Sequence, residues 1–182
     1  MYRKKDYEIA FVGLTIGNHT YEYKLGKSFF EVYKASQFFD SNITVTLTLQ
    51  KNAGFLQLKF EVGGTVAATC DRCGNDVQVQ LWDEFNMIVK LVENPQQMNE
   101  TEEDADIYYL ARTESHLFVA DWLYEFVALS LPHQIYCENL PDGQSGCNQE
   151  VLEKLQALRL ESEDEPSVNP IWKALEKLKD KK

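Results

Sequence analysis

The chain has 182 residues, 44% of them apolar, and a formal net charge of -11 at pH 7. That length supports one domain with a substantial core, or one domain and an appendage, and no apolar run approaches the roughly 18 residues of a membrane-spanning helix. The acidic balance argues against a protein that wraps nucleic acid with many lysines and arginines, so neither membrane nor DNA is expected as a partner.

The start, Arg3-Lys4-Lys5 followed by apolar residues, imitates a secretion signal. Asp6 and Glu8 interrupt it, and no small-residue cleavage site follows, so a cytoplasmic protein with reduced cysteines is expected. Ile9 to Ile16 is expected to be a strand, and Ser28 to Ser36 a short helix or another strand. Residues 43–49 alternate apolar and polar with period two, the pattern of a strand with one buried face. Lys51-Asn52-Ala53-Gly54 is a turn signal, and Leu56, Leu58 and Phe60 mark the return strand. Gly63-Gly64 predicts a second turn. Val66 and Ala68 then lead into Cys70 on a third strand. After a tight connection to Asp76, Val77, Val79 and Leu81 open a fourth strand, and residues 85–91 continue it past a bend near Asp83.

Residues 92–106 carry Glu93, Glu100, Glu102, Glu103, Asp104 and Asp106 with no lysine or arginine. They are expected to form an acidic loop, which reads either as a solvated surface or as a lure for basic proteins. Ile107 to Leu110 is a short strand candidate. Phe118, Val119, Trp122, Leu123, Phe126 and Val127 recur at spacings of three and four, which predicts a helix over 117–131 lying on one face of the sheet. Pro132 limits it. A loop with Pro141, Gly143 and Gly146 follows, then an amphipathic set at Val151, Leu152, Leu155 and Leu158. Glu161, Glu163, Asp164 and Glu165 make 161–169 an acidic linker. Asn169-Pro170 is a helix start, so residues 170–182 are expected as a separate amphipathic helix with Trp172 on its narrow apolar stripe. The domain expectation is therefore one α+β domain over 1–160, the linker, and the terminal helix.

The chemistry rests on four cysteines. Cys70-Asp71-Arg72-Cys73 is a close pair on a hairpin end, while Cys137 and Cys147 form a wide pair in a flexible loop. Four thiolates suit a tetrahedral structural zinc ion, and the close spacing fits a metal knuckle, although the wide spacing does not. A thioredoxin-like redox pair is the second reading. It normally needs a helix N-terminus behind the first thiol, and here the pair lies between strands. Reduced cysteines with no ligand are the third. His116 and His133 are further candidate ligands, His133 being close to Cys137 in sequence, although a lone loop histidine more often reads as a solvated side chain. No phosphate-cradling glycine loop and no serine elbow is present, so catalysis is not expected.

The order of motifs resembles the YceD family, named for large ribosomal RNA subunit accumulation. The residues that carry the resemblance are Gly63-Gly64-Thr65-Val66 before Cys70, Arg72 and Cys73; the helix end at Leu129, Ser130, Leu131 and Pro132; the cysteine loop; and Asn169-Pro170-Ile171-Trp172. The resemblance spans roughly residues 10–180. Some relatives have a denser cysteine cluster after the helix, and Asp-Pro is common where this chain has Asn169-Pro170. The resemblance implies a role in 23S rRNA accumulation or processing during large-subunit assembly, by binding a subunit precursor or a ribosomal protein. Direct rRNA contact would use Arg3, Lys4, Lys5, Arg72 and the lysine-rich end. The alternatives are a thiol- or metal-dependent enzyme, or an adaptor coupling ribosome supply to phospholipid synthesis, the latter implied by the gene neighbourhood of bacterial members. The fold expected from the residues is α+β, with an antiparallel, curled sheet of five or more strands and a packed helix.

Overall fold

The computed structural model describes residues 3–34, 40–140 and 143–163, with the backbone alone at Asp40 and at 160–163. In chain order the elements are β1 (Glu8–Ile9), β2 (Gly17–Leu25), α1 (Lys27–Phe30), β3 (Asp40–Lys51), β4 (Phe55–Thr69), β5 (Asp76–Val92), α2 (Pro95–Thr101), β6 (Ile107–Ala111), β7 (Leu117–Phe118), α3 (Ala120–Leu129) and α4 (Gln149–Glu163). The described chain falls into two compact units. The larger runs to Asp71 and resumes over Asp76–Ile135; the smaller holds Arg72–Asn75 and the chain from Tyr136.

The fold of the larger unit is α+β. Its main sheet has the order β2-β3-β4-β5-β6, and β1 pairs with β7 in a small second sheet. The period-two pattern explains the buried face. Val45, Leu47 and Leu49 of β3 lie in register with Val62, Phe60 and Leu58 of β4, and all six are buried. Leu81, Met87 and Val89 extend that face across β5. Trp82, one residue out of phase with Leu81, lies on the opposite face and is 83% exposed.

Helix α3 covers the buried face. The Phe126 ring packs edge to face on Phe60 (centroids 4.9 Å apart) and stacks on Phe85 at 4.5 Å. Burying such a side chain is worth roughly 1.5–3 kcal/mol, so Phe126 is a principal fastener of helix to sheet. The helix is shorter than its apolar period predicts. Leu117 and Phe118 pair with Ile9 and Glu8 as strand, and the Ser130 hydroxyl donates to the Phe126 carbonyl at 2.7 Å, occupying a last-turn acceptor.

Several expectations are corrected. Gly63-Gly64 is not a turn: β4 runs unbroken through both, facing Thr44 and Ile43 of β3. Asp83 does not interrupt β5, which keeps register with β4 from Asp76 to Lys90. Of residues 9–16 only Ile9 is in a strand, at the end of β1; Phe11–Gly13 form a short 3-10 turn, held by the Lys51 ammonium, which donates to the carbonyls of Phe11, Val12 and Leu14. The sheet is mixed rather than wholly antiparallel, since β6 runs parallel to β5. It is also not strongly curled: β2 and β6 remain its two separate edges.

The acidic stretch explains the parallel strand. Residues 95–101 form α2, with Pro95 at its start, and this short crossover returns the chain to the same end of the sheet. Asn99 then caps the β6 edge, accepting from the Tyr109 N–H at 2.8 Å and donating to its carbonyl at 2.9 Å. The side chain imitates a neighbouring strand and blocks edge pairing at that residue.

In the smaller unit, α4 carries the expected amphipathic set, with Leu155 and Leu158 exposed. It continues to Glu163. The rest of the expected linker, and the terminal helix of 170–182, lie outside the described residues. No described helix is long and apolar enough to cross a membrane.

Candidate metal centre

Strand β4 ends at Thr69 and β5 begins at Asp76, so the close cysteine pair flanks a tight turn. Gly74, directly after Cys73, has φ of +76°. A residue without a Cβ adopts this left-handed conformation at little cost, which lets the chain reverse immediately beyond the second thiol. The base of the turn is tied to the segment that follows α3. The Asp71 N–H donates to the Ile135 carbonyl at 2.8 Å, and the Ile135 N–H donates to the Asp71 carboxylate at 2.7 Å. Two short bonds across 64 residues of sequence fix where the second cysteine segment starts.

That segment is shaped by its own backbone. Asn139 and Ser145 form an isolated antiparallel bridge. Leu140 N–H donates to Gln144 O at 2.7 Å, and Gly146 N–H to Glu138 O at 3.2 Å. Among the nine intervening residues, whose number does not fit the usual knuckle, the described ones on either side pair with each other and so return Cys147 toward Cys137.

The four sulfurs of Cys70, Cys73, Cys137 and Cys147 all lie within 4.8 Å of one another. Cys73 Sγ and Cys137 Sγ are 3.6 Å apart. None of the four is in a disulfide. A tetrahedral ion with sulfur ligands at about 2.3 Å places its sulfurs about 3.8 Å from each other. The spacing therefore fits a four-thiolate ion, and the soft donor set favours zinc over magnesium or calcium. Cys70 and Cys147 are buried, and Cys73 and Cys137 are half-buried, as suits a closed structural site.

The structure also gives Arg72 a partner that sequence reading missed. Its guanidinium lies over the Tyr136 ring, 4.6 Å from the centroid. Both residues adjoin cysteines, which was the available signal. Leu129 ends α3 and is exposed, Leu131 packs against the core, and Pro132 is exposed beyond the helix. These three frame the helix end and contribute no ligand. His116 is exposed and bonded to the Ser115 hydroxyl, and His133 is exposed; neither belongs to the sulfur cluster. The N-terminal cations are partly engaged: Arg3 pairs with Asp6 at 3.1 Å, and the Lys4 ammonium lies over the Phe118 ring.

The acidic stretch is likewise more than solvated surface. Glu102 accepts the Tyr109 hydroxyl at 2.6 Å and the backbone N–H groups of Glu103 and Asp104. Asp104 accepts the Asp106 N–H. The Tyr109 hydroxyl, aided by the Asp104 N–H, holds the Glu102 carboxyl below the usual carboxylate range, and the same bond raises the Tyr109 phenol.

A family model described as large ribosomal RNA subunit accumulation protein YceD matches residues 58–179, well over half of the chain. No curated protein and no solved structure gives a match.

Proposed function

This chain belongs to the YceD family of large ribosomal RNA subunit accumulation proteins, and from that premise we propose that it is a non-catalytic assembly factor. It acts in the cytoplasm, binds a large-subunit precursor or a ribosomal protein bound for it, and so supports 23S rRNA accumulation. Cys70, Cys73, Cys137 and Cys147 would hold a structural zinc ion, which ties the turn after β4 to the segment that carries Cys137 and Cys147.

The observation that carries the non-catalytic reading is the convergence of four cysteine sulfurs within 4.8 Å. Four protein thiolates complete a tetrahedral shell, whereas catalytic zinc keeps one position for water or substrate. The acidic balance favours a basic protein partner, and complementary charge chiefly raises the rate of encounter.

The test is affinity purification of the tagged chain from its own cells at moderate salt, with quantitation of the rRNA and proteins recovered. Enrichment of large-subunit rRNA precursors or large-subunit proteins supports the reading. Recovery of the chain alone, or with lipid-synthesis enzymes, overturns it. If rRNA is the contact, recovery falls steeply with salt; a protein contact gives a flatter response.

A further inference from the structure

A cleft of about 310 Å3 opens in the larger unit, with Tyr108, Glu114, His116, Phe118, Asp121 and Trp122 among its lining residues. No part of it touches the cysteines. The walls are aromatic. Tyr108 and Trp122 meet edge to face, with centroids 5.2 Å apart and planes at 82°. Aromatic faces carry negative charge and attract cations. Phe118 already does so, with the Lys4 ammonium 5.0 Å from its centroid.

Two carboxylates accompany those rings. Asp121 accepts the Tyr33 hydroxyl on Oδ1 at 2.8 Å, which orients the group and leaves Oδ2 for another donor. Among the described residues the Glu114 carboxylate makes no hydrogen bond or ion pair. No lysine or arginine lines the cleft. Such walls repel phosphate and suit a cation with a flat face. Guanidinium matches best, because it stacks on rings and donates in a planar fork to carboxylates.

Resting on the reading that the chain binds large-subunit components, we propose that this cleft takes an arginine side chain from a basic segment of a partner protein. The Tyr108 and Trp122 rings accept the guanidinium face, and Glu114 and Asp121 accept its N–H groups. The partner class is then a basic protein rather than RNA.

The full-length chain, labelled with 15N, is titrated with a nonapeptide of alternating arginine and glycine. Parallel titrations use its citrulline counterpart, which keeps the shape and loses the charge, and an oligouridylate. The Trp122 indole N–H signal is expected to move with the arginine peptide, and the citrulline peptide to bind at least about tenfold more weakly. The double variant Glu114→Gln with Asp121→Asn keeps an acceptor for Tyr33 and should fold. It is expected to lose about tenfold in affinity for the arginine peptide. Trp82→Ala, on the other face of the sheet, should bind as the wild type does.

Equal binding by the citrulline peptide, undiminished binding by the double variant, or tighter binding of oligouridylate at Trp122 overturns the proposal. The same double variant is carried through affinity purification. If the wild type recovers no large-subunit material, the assembly reading falls while the titration still decides the cleft. If the wild type recovers it and the double variant recovers it equally, the cleft is not the partner site.

Discussion

Gly64 of β4 lies directly against the Asn42 carbonyl oxygen of β3, so close that a Cβ at this position would collide with it and come within 2.8 Å of the Ile43 Cα. Gly64 also has φ of +137°. Only glycine meets both demands. Gly64→Ala is expected to destabilise the chain by at least about 2 kcal/mol, through clash and backbone strain. Gly63→Ala, where a Cβ meets nothing within 4 Å, is the control. Urea unfolding midpoints compare them; equal midpoints would show that the close approach is not needed.

The cysteine cluster makes a stoichiometric prediction. The purified chain should contain one equivalent of zinc, and Cys73→Ser or Cys137→Ser should lower that content sharply. A strong chelator should reduce the thermal midpoint of the wild type far more than that of either variant, because metal binding and folding of the site are coupled. Zinc content by atomic emission alongside scanning calorimetry checks this. A metal-free protein of unchanged stability would refute it.

Lys51 uses all three ammonium donors on carbonyls, reaching Phe11 at 2.9 Å, Val12 at 3.0 Å and Leu14 at 2.8 Å. These bonds fasten the 3-10 turn to the end of β3. Lys51→Met keeps the aliphatic stem and removes the donors. A loss of about 1–3 kcal/mol is expected, together with faster amide exchange at Leu14, whose N–H donates to Phe11 O. Unchanged exchange there would show that the turn stands without the lysine.

Glu102 and Tyr109 give a pH prediction. The bond between them favours the ionised carboxyl and the neutral phenol. The Glu102 contribution to stability is therefore present above the ordinary carboxyl pKa and lost as pH falls through its lowered folded value. The Tyr109 contribution is present below the ordinary phenol pKa and lost as pH rises through its raised folded value. In Tyr109→Phe the Glu102 carboxyl should titrate at higher pH, since its main partner is gone. Carboxyl-carbon NMR follows that titration, and an identical curve in the two proteins would count against the assignment.

The alternating residues of 43–49 and 56–60 fixed two strands and their buried faces, because a period of two has one solution against a core. Cys70-Asp71-Arg72-Cys73 announced a candidate metal knuckle for a similar reason: two thiols three positions apart on a turn can face one ion. Other features were hidden. Gly63-Gly64 looked like a turn because a glycine pair signals either reversal or close approach, and only the neighbouring strand distinguishes them. Helix α2, with the sequence PQQMNET, has no apolar period to detect.

By itself, then, the sequence determined the α+β class, the inward faces of its central strands, the helix that covers them, and the four residues able to offer sulfur. Tertiary structure decided that β6 runs parallel, that Asn99 closes part of the sheet edge, that the sulfurs of two segments 64 residues apart converge, and that Tyr108, Glu114, Asp121 and Trp122 share one cleft. The physical division is one of range. Periodicity and turn chemistry act between near neighbours and are written locally, whereas convergence depends on where the folded backbone carries residues that no local pattern connects.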